Sequence, residues 1–233
     1  MSVSQEGKRR SPGTYSRGEE TRSRIIDAAI ELFAQYGFEG TSTRSLAERA
    51  NVNLPAIQYY FGSKEGLYRA VFEHVREGIP KHMRPMVEQV DAILPRESVP
   101  RTKLHTLLIQ LLDTFLLIIV EMPKTSRLLF FRAEFEQPEL LGDLLYESMW
   151  RHVVRPCVEL IARLSDSPAN DRKIIVGTML IVGQITMIGR IRSRQPHPIW
   201  GELGPEEIET VRTLIREQTA TLLRTARRSS SAS

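Results

Sequence analysis

The 233-residue sequence predicts an all-α protein, with an N-terminal three-helix helix-turn-helix domain followed by a larger C-terminal helical domain. Three observations lead there. Apolar residues recur at three- and four-residue spacing almost throughout, and no stretch alternates as a strand would. Prolines fall at intervals that cut the C-terminal part into long helical segments. Two short helical segments near residues 41–61 flank an Asn-Val-Asn turn. The composition agrees, since 41% hydrophobic and 26% charged residues exclude a wholly disordered chain or a collagen. A single cysteine, Cys157, excludes an internal disulfide and a Cys-rich metal cluster, and it suits a reducing cytoplasm.

Residues 1–18 read as a basic, disordered arm, with Lys8, Arg9, Arg10 and Arg17 set against Glu6 alone. The far end repeats this bias with Arg224, Arg227 and Arg228, the last two opening a disordered, Ser-rich tail at 227–233. With each end at +3 and the whole chain at +4, the body between them is near −2. The pI of about 9.4 is therefore a property of the ends. Such arms track nucleic-acid phosphates or simply keep a chain soluble. The first 24 residues hold no apolar stretch, so nothing reads as a signal peptide.

A first domain is expected over 19–79. Ile25, Ile26, Ala29, Leu32, Phe33 and Tyr36 make one face of a helix, and Gly37 is its natural stop. Thr41, Ser42 and Thr43 offer hydroxyl caps to a short helix whose buried face is Leu46, Ala47 and Ala50. In the turn, Asn51 tolerates a left-handed backbone, Val52 plugs the gap and Asn53 caps the next helix. Pro55 sits in the first turn of that helix, where a missing N–H is harmless. Ile57 and Phe61 point inward, which leaves Gln58, Tyr59 and Tyr60 outward. Ser63 opens a further helix with Lys64 at its positive end. Small residues where two helices cross, and a second helix exposing hydrogen-bonding and aromatic groups, describe a helix-turn-helix sized for the DNA major groove. The same two tyrosines would also serve a protein-interaction surface.

After a linker region at 80–100, helices are expected near 101–121, 124–136, 139–165, 169–193 and 205–226, and Pro156 should kink the third. The uncharged run Ile174–Gly189 is short for a bilayer span, and Leu104–Val120 is broken by His105, Gln110 and Asp113, so no membrane partner is expected. Gly177, Gly183 and Gly189 would allow another helix to approach closely, and Ile208, Val211, Leu214, Ile215, Leu222 and Leu223 form a broad apolar face. One recognition helix per protomer gives limited specificity, which a homodimer on a palindrome overcomes.

The pattern over Glu19–Val75 resembles the DNA-binding domain of the tetracycline-repressor (TetR) family. It is carried by Gly37-Phe38, Thr41, Leu46-Ala47, Ala50, Val52, Ile57, Phe61, Lys64-Glu65 and Leu67. Asn51 stands where that family usually has glycine, Asn53 where it has serine, and Gln58 where tyrosine is frequent. The run VNLPAIQYYFGSKEGLY further resembles the CerR-like (YbiH-like) branch. The resemblance implies that Thr43 and Arg44 meet the phosphate backbone or groove edge. It places Pro55, Ala56, Gln58, Tyr59 and Tyr60 at the recognition positions and makes Lys64 the phosphate-binding lysine. An amide at Gln58 can pair with adenine N6 and N7. The tyrosine hydroxyls would bond phosphates, or the rings would lie on a thymine methyl.

The resemblance also implies a cytoplasmic, nucleoid-associated regulator that binds double-stranded DNA as a homodimer and releases it when a small-molecule effector fills the C-terminal domain. Repression is the expected sign. An activator, an effector-independent member and a helical protein-interaction module are the alternatives. Pocket residues are expected from Phe115, Phe131, Arg132, Trp150, Met179 and Gln184, beside the apolar Leu116, Phe130, Met149 and Met187. Arg132 should pair with Glu134 or Asp113. No cofactor is expected. Neither HExxH, nor a Gly-rich phosphate loop, nor a GxSxG elbow occurs, and five dispersed histidines have no metal-ligand spacing, so an enzyme is not expected.

Overall fold

The computed structural model describes residues 12–193 and 203–230, and among these every regular element is a helix. The basic cluster Lys8, Arg9 and Arg10, and the punctuating Pro196 and Pro198, lie outside the described residues. The chain divides into two compact units, the first ending at Val71 and the second beginning at Phe72. The division falls inside a helix, eight residues before the expected end at 79.

The first unit holds α1 (Pro12–Tyr36), α2 (Thr43–Arg49), α3 (Leu54–Phe61) and the start of α4 (Lys64–Arg76). Helix α1 begins at Pro12, so residues 12–18 of the expected disordered arm are helical. Its stripe of Ile25, Ile26, Ala29 and Phe33 is buried, and Gly37 ends it at φ +76, a left-handed conformation that glycine adopts without strain. Phe33 and Phe38 meet Tyr68 of α4 edge-on, with centroids 4.8 and 5.0 Å apart. Thr41 is buried and donates its hydroxyl to Gly37 O at 2.7 Å. Arg49 of α2 pairs with Glu31 of α1.

The second unit continues α4 into α5 (Gly78–Ile93), then α6 (Arg101–Glu121), α7 (Lys124–Glu136), α8 (Pro138–Met149), α9 (Arg155–Ser165), α10 (Arg172–Ser193) and α11 (Pro205–Ser230). Helix α5 fills most of the stretch expected as linker, and it carries Pro80 and Pro85 inside it. Pro80 lies in the first turn, where the N–H would be unpaired anyway. Pro85 removes an interior hydrogen bond at a cost of roughly 3 kcal/mol. The helix buries Ile79, Met83, Val87, Val90 and Ile93. At roughly 1.5–3 kcal/mol for each such side chain, burial outweighs the proline. Apolar packing therefore overrides the proline stop signal here.

Between α8 and α9, residues Trp150–Val154 form a single π-helical turn in which the Arg155 N–H bonds Trp150 O, five residues back. Pro156 follows it directly. In a regular α-helix the proline ring would press on the carbonyl four residues earlier, and a widened turn relieves this. At the kink site expected around Pro156 the structure shows a local change of winding. At its other end α9 closes on Asp166 at φ +53.

Helix α6 is the centre of the second unit, with Leu104, Leu107, Leu108, Leu111, Leu112, Phe115, Leu116 and Ile119 all buried. Arg127, 5% exposed, donates to Val120 O (3.1 Å), Met122 O (2.8 Å) and Arg192 O (3.2 Å). It ties the C-terminal carbonyls of α6 to that of α10, satisfying groups that a helix end leaves open. Burial, with the charge of Arg192, lowers its pKa. Arg163 closes the loop after α5 in the same way, donating to Leu94 O at 2.8 Å and Glu97 O at 3.0 Å.

Helices α6 and α10 are both long and apolar enough to cross a membrane by length and composition. Helix α6 spends that apolarity on the core. Helix α10 buries Ile174, Ile181, Val182 and Ile185 but leaves Val176, Met179, Leu180 and Met187 exposed. Two of its three glycines are already used within the protomer. A Cβ at Gly177 would meet Leu222 of α11, and one at Gly189 would meet Ile119 and Phe131, whereas Gly183 faces open space. The broad face expected on α11 is likewise mostly internal, since Ile208, Ile215 and Leu223 are buried and Leu214 is half exposed.

Candidate nucleic-acid interface

Local hydrogen bonds fix the geometry of α2 and α3. Ser42 caps α2 by accepting the Ser45 N–H at 3.0 Å, and the Ser45 hydroxyl oxygen accepts the Ser42 N–H at 3.2 Å, a reciprocal capping box. Asn51 takes the left-handed turn conformation at φ +53, which asparagine tolerates better than most residues. Asn53 Oδ1 accepts the Ala56 N–H at 3.0 Å and caps α3, with Pro55 in the first turn. A cap of this kind is worth about 1 kcal/mol. Gly62, at φ +76, ends α3. The Ser63 hydroxyl then accepts the Gly66 N–H at 3.1 Å and opens α4. The carboxyl of Glu65 is held below its ordinary range by its own backbone N–H and by the Ser63 hydroxyl.

These caps frame an open concavity of about 540 Å3, lined by Thr43 of α2, by Leu54, Pro55, Ile57, Gln58 and Tyr59 of α3, and by Ser63 and Lys64. Ile57 is anchored in the core, while Tyr59 is 82% exposed and Leu54 50% exposed. Gln58 and Pro55 are exposed as well. The surface therefore combines an amide, a phenol, apolar edges and a lysine on one short helix and its flanks.

Of the eight expected contact residues, Thr43, Pro55, Gln58, Tyr59 and Lys64 line this concavity. Arg44 stands one position on, exposed, in an i,i+4 pair with Glu48 at 3.1 Å. Lys64 has its Nζ 4.3 Å from the centroid of Phe38. Ala56 is half buried. Tyr60 departs from the outward position expected of it. It is half buried, its ring lies 5.0 Å from Tyr59 and tilts over Phe61, and its hydroxyl lies 3.8 Å from where a Cβ at Gly18 would stand. Three residues after Ile57, it borders the inward stripe and leans toward α1. Leu54 and Ser63 also line the concavity and are not among the expected contact residues. Helical periodicity sets Leu54 beside Ile57 and Phe61, so an apolar pattern absorbs it, while Ser63 carried only a capping signal.

The expected pocket residues of the second unit are scattered. Phe115 and Phe131 are buried, and Trp150 stacks on the exposed Tyr146 with centroids 6.3 Å apart. Met179 and Gln184 stand on the exposed side of α10, away from the buried side chains with which they were grouped. Arg132 pairs with Glu136 at 2.6 Å, one helical turn on, while the side chain of Glu134, one of its expected partners, lies outside the described residues. Asp113 is engaged instead by Arg216 at 2.6 Å and Arg212 at 3.5 Å, both from α11. Cys157 is fully buried, and burial pushes its thiol pKa far up.

Residues 25–71 match the model described as bacterial regulatory proteins, tetR family. Residues 104–226, just over half the chain, match the C-terminal domain of the HTH-type transcriptional dual regulator CecR. CecR of Shigella flexneri is 28% identical over 174 residues, covering 75% of this chain and 78% of that one. Two solved structures share the fold. One is a transcriptional regulator from Pseudomonas aeruginosa PAO1, at TM-score 0.64 and 13% identity, covering 94% of this chain and 95% of that one. The other is Salmonella enterica GusR, at TM-score 0.61 and 19% identity, covering 94% and 100%.

Proposed function

Since the chain belongs to the tetR family of bacterial regulatory proteins, with a CecR-type C-terminal domain, and is a DNA-binding transcriptional regulator, we propose how it works. It acts in the cytoplasm as a homodimer that reads a palindromic operator with α3 of each protomer. It represses, and it leaves the operator when the second unit takes up a small-molecule effector. The observation that carries the DNA-reading part is the concavity on α3, with Gln58 and Tyr59 exposed inside a rim of Thr43 and Lys64.

The roles follow from chemistry. Gln58 offers a donor and an acceptor to adenine in the major groove. Thr43, Arg44 and Lys64 supply phosphate contacts, which position the helix without reading sequence. Each cation gives up little to do so. An exposed i,i+4 pair such as Arg44–Glu48 is worth about 0.3–0.5 kcal/mol, and a half-buried cation–π contact such as Lys64–Phe38 about 0.5–2 kcal/mol. Charge-assisted bonds to phosphate replace both. Tyr59 presents its ring and hydroxyl at the groove, while Pro55, Ala56 and Tyr60 shape the approach.

Dimerisation is supported by the exposed apolar side of α10, where Val176, Met179, Leu180 and Met187 lie with Leu214 of α11 and the open Gly183. Phe131 and Arg132 are the second unit's residues retained for the effector. Release is a population shift, in which the effector favours the dimer geometry that misplaces the two copies of α3. Because the Shigella flexneri relative is described as a dual regulator, activation at some promoters is the second reading.

The test is an operator selected from random duplexes by the full-length protein, followed by anisotropy titrations. Gln58→Ala should lose about 1–3 kcal/mol of discrimination at one A·T pair in each half-site. Retained preference in the variant removes Gln58 from the reading role. Binding without any sequence preference overturns the operator itself.

A further inference from the structure

Leu54 is the least expected member of the α3 surface. It is a large apolar side chain, 50% exposed, at the first position of the helix. It lines the same concavity as Pro55, Gln58 and Tyr59. Its neighbour Asn53 supplies the cap and Ile57 supplies the anchor, so neither folding task calls for an apolar group at 54. Exposed apolar residues are ordinary on a protein surface when single. This one sits in a concavity otherwise equipped to meet DNA.

The major groove offers few apolar partners. Base edges there present acceptors and amino groups, and the thymine C5-methyl is the apolar feature. From this, and resting on the DNA-reading proposal above, we propose that Leu54 is the seat for a thymine methyl group and a determinant of operator sequence. Gln58 lies one turn further along α3, so the two side chains are neighbours with Cβ atoms about 5–6 Å apart. Successive base pairs rise 3.4 Å along each strand. The thymine met by Leu54 thus lies within about two steps of the pair read by Gln58. The amide supplies hydrogen bonds, and the leucine supplies a contact that only a methylated pyrimidine satisfies.

The methyl can be removed from the DNA without touching the protein. Each thymine of the selected operator is replaced in turn, in both half-sites together, by deoxyuridine, which keeps every hydrogen-bonding group. Burial of one methyl is worth about a four-fold change in affinity. The wild-type protein should lose about four-fold per half-site at one thymine, and Leu54→Ala should bind thymine and deoxyuridine there alike. Leu54→Met, which keeps an apolar reach, should retain most of the loss. Circular dichroism of Leu54→Ala should match wild type, because the Asn53 cap and Ile57 remain. The proposal is overturned if no thymine shows the loss, or if Leu54→Ala keeps it in full while Tyr59→Ala abolishes it. Failure of the operator reading is a separate result, since then no selected sequence is bound in preference to random duplex.

Discussion

At the level of single residues, the helix-turn-helix rests on side chains that bond their own backbone. Asn51, Asn53, Ser42 and Ser63 set where α2, α3 and α4 begin and turn; residue type pointed to three of them directly and to Ser42 as one of three candidate hydroxyls. Asn53→Ala removes the α3 cap and should cost about 1 kcal/mol of stability in urea unfolding; a loss below about 0.3 kcal/mol would show that Pro55 alone defines the start. Lys64 is argued to bind phosphate at both half-sites. Lys64→Ala should therefore reduce the log–log salt slope of binding by about 1.8 for a dimer, with sequence preference unchanged. Preference that changes with the slope would place Lys64 at a base. The side chains that escaped sequence reading did so because their signal was ambiguous. Leu54 fits the apolar stripe, and Tyr60 sits on the border between inward and outward.

Among the helices, periodicity and proline positions located α6, α7 and the end of α10 closely, and failed where packing outweighs local preference. Helix α5 carries Pro80 and Pro85 because it buries five apolar side chains. The stretch 138–165 accommodates Pro156 by widening the turn that precedes it. Which glycines face outward could not be read from spacing, since that depends on the partner helix inside the protomer: Leu222 occupies the space at Gly177, and Phe131 that at Gly189. The exposed side of α10 yields the prediction proper to this scale. Leu180, 64% exposed, makes no call on the protomer core. Leu180→Glu should yield a folded monomer by analytical ultracentrifugation, with operator affinity down by at least ten-fold. A dimer of unchanged stability would move the interface elsewhere.

For the whole molecule, two compact units divide the labour between a DNA-reading surface and a larger helical body. The two-part plan was legible because the turn between α2 and α3 has a strong local signature. The lining of any effector site was not, because an apolar helix looks the same whether it faces a core or a pocket. If each protomer neutralises about four phosphates, operator binding by the dimer should show a log–log salt slope near −7, measurable by anisotropy between 50 and 200 mM salt. A slope shallower than about −3 would leave the rim cations without a role. The sealed state of Cys157, the one thiol in the chain, makes a geometric measurement simple. A thiolate is the form that reacts, and burial suppresses it. Maleimide or nitroxide reagents should pass the native protein by, so a cysteine installed at the exposed Glu39, outside the contact surface, can carry a spin label without a background signal. Dipolar spectroscopy on the operator-bound dimer should then report one narrow label separation, set by two half-sites about 34–36 Å apart, and a shifted distribution once an effector is added.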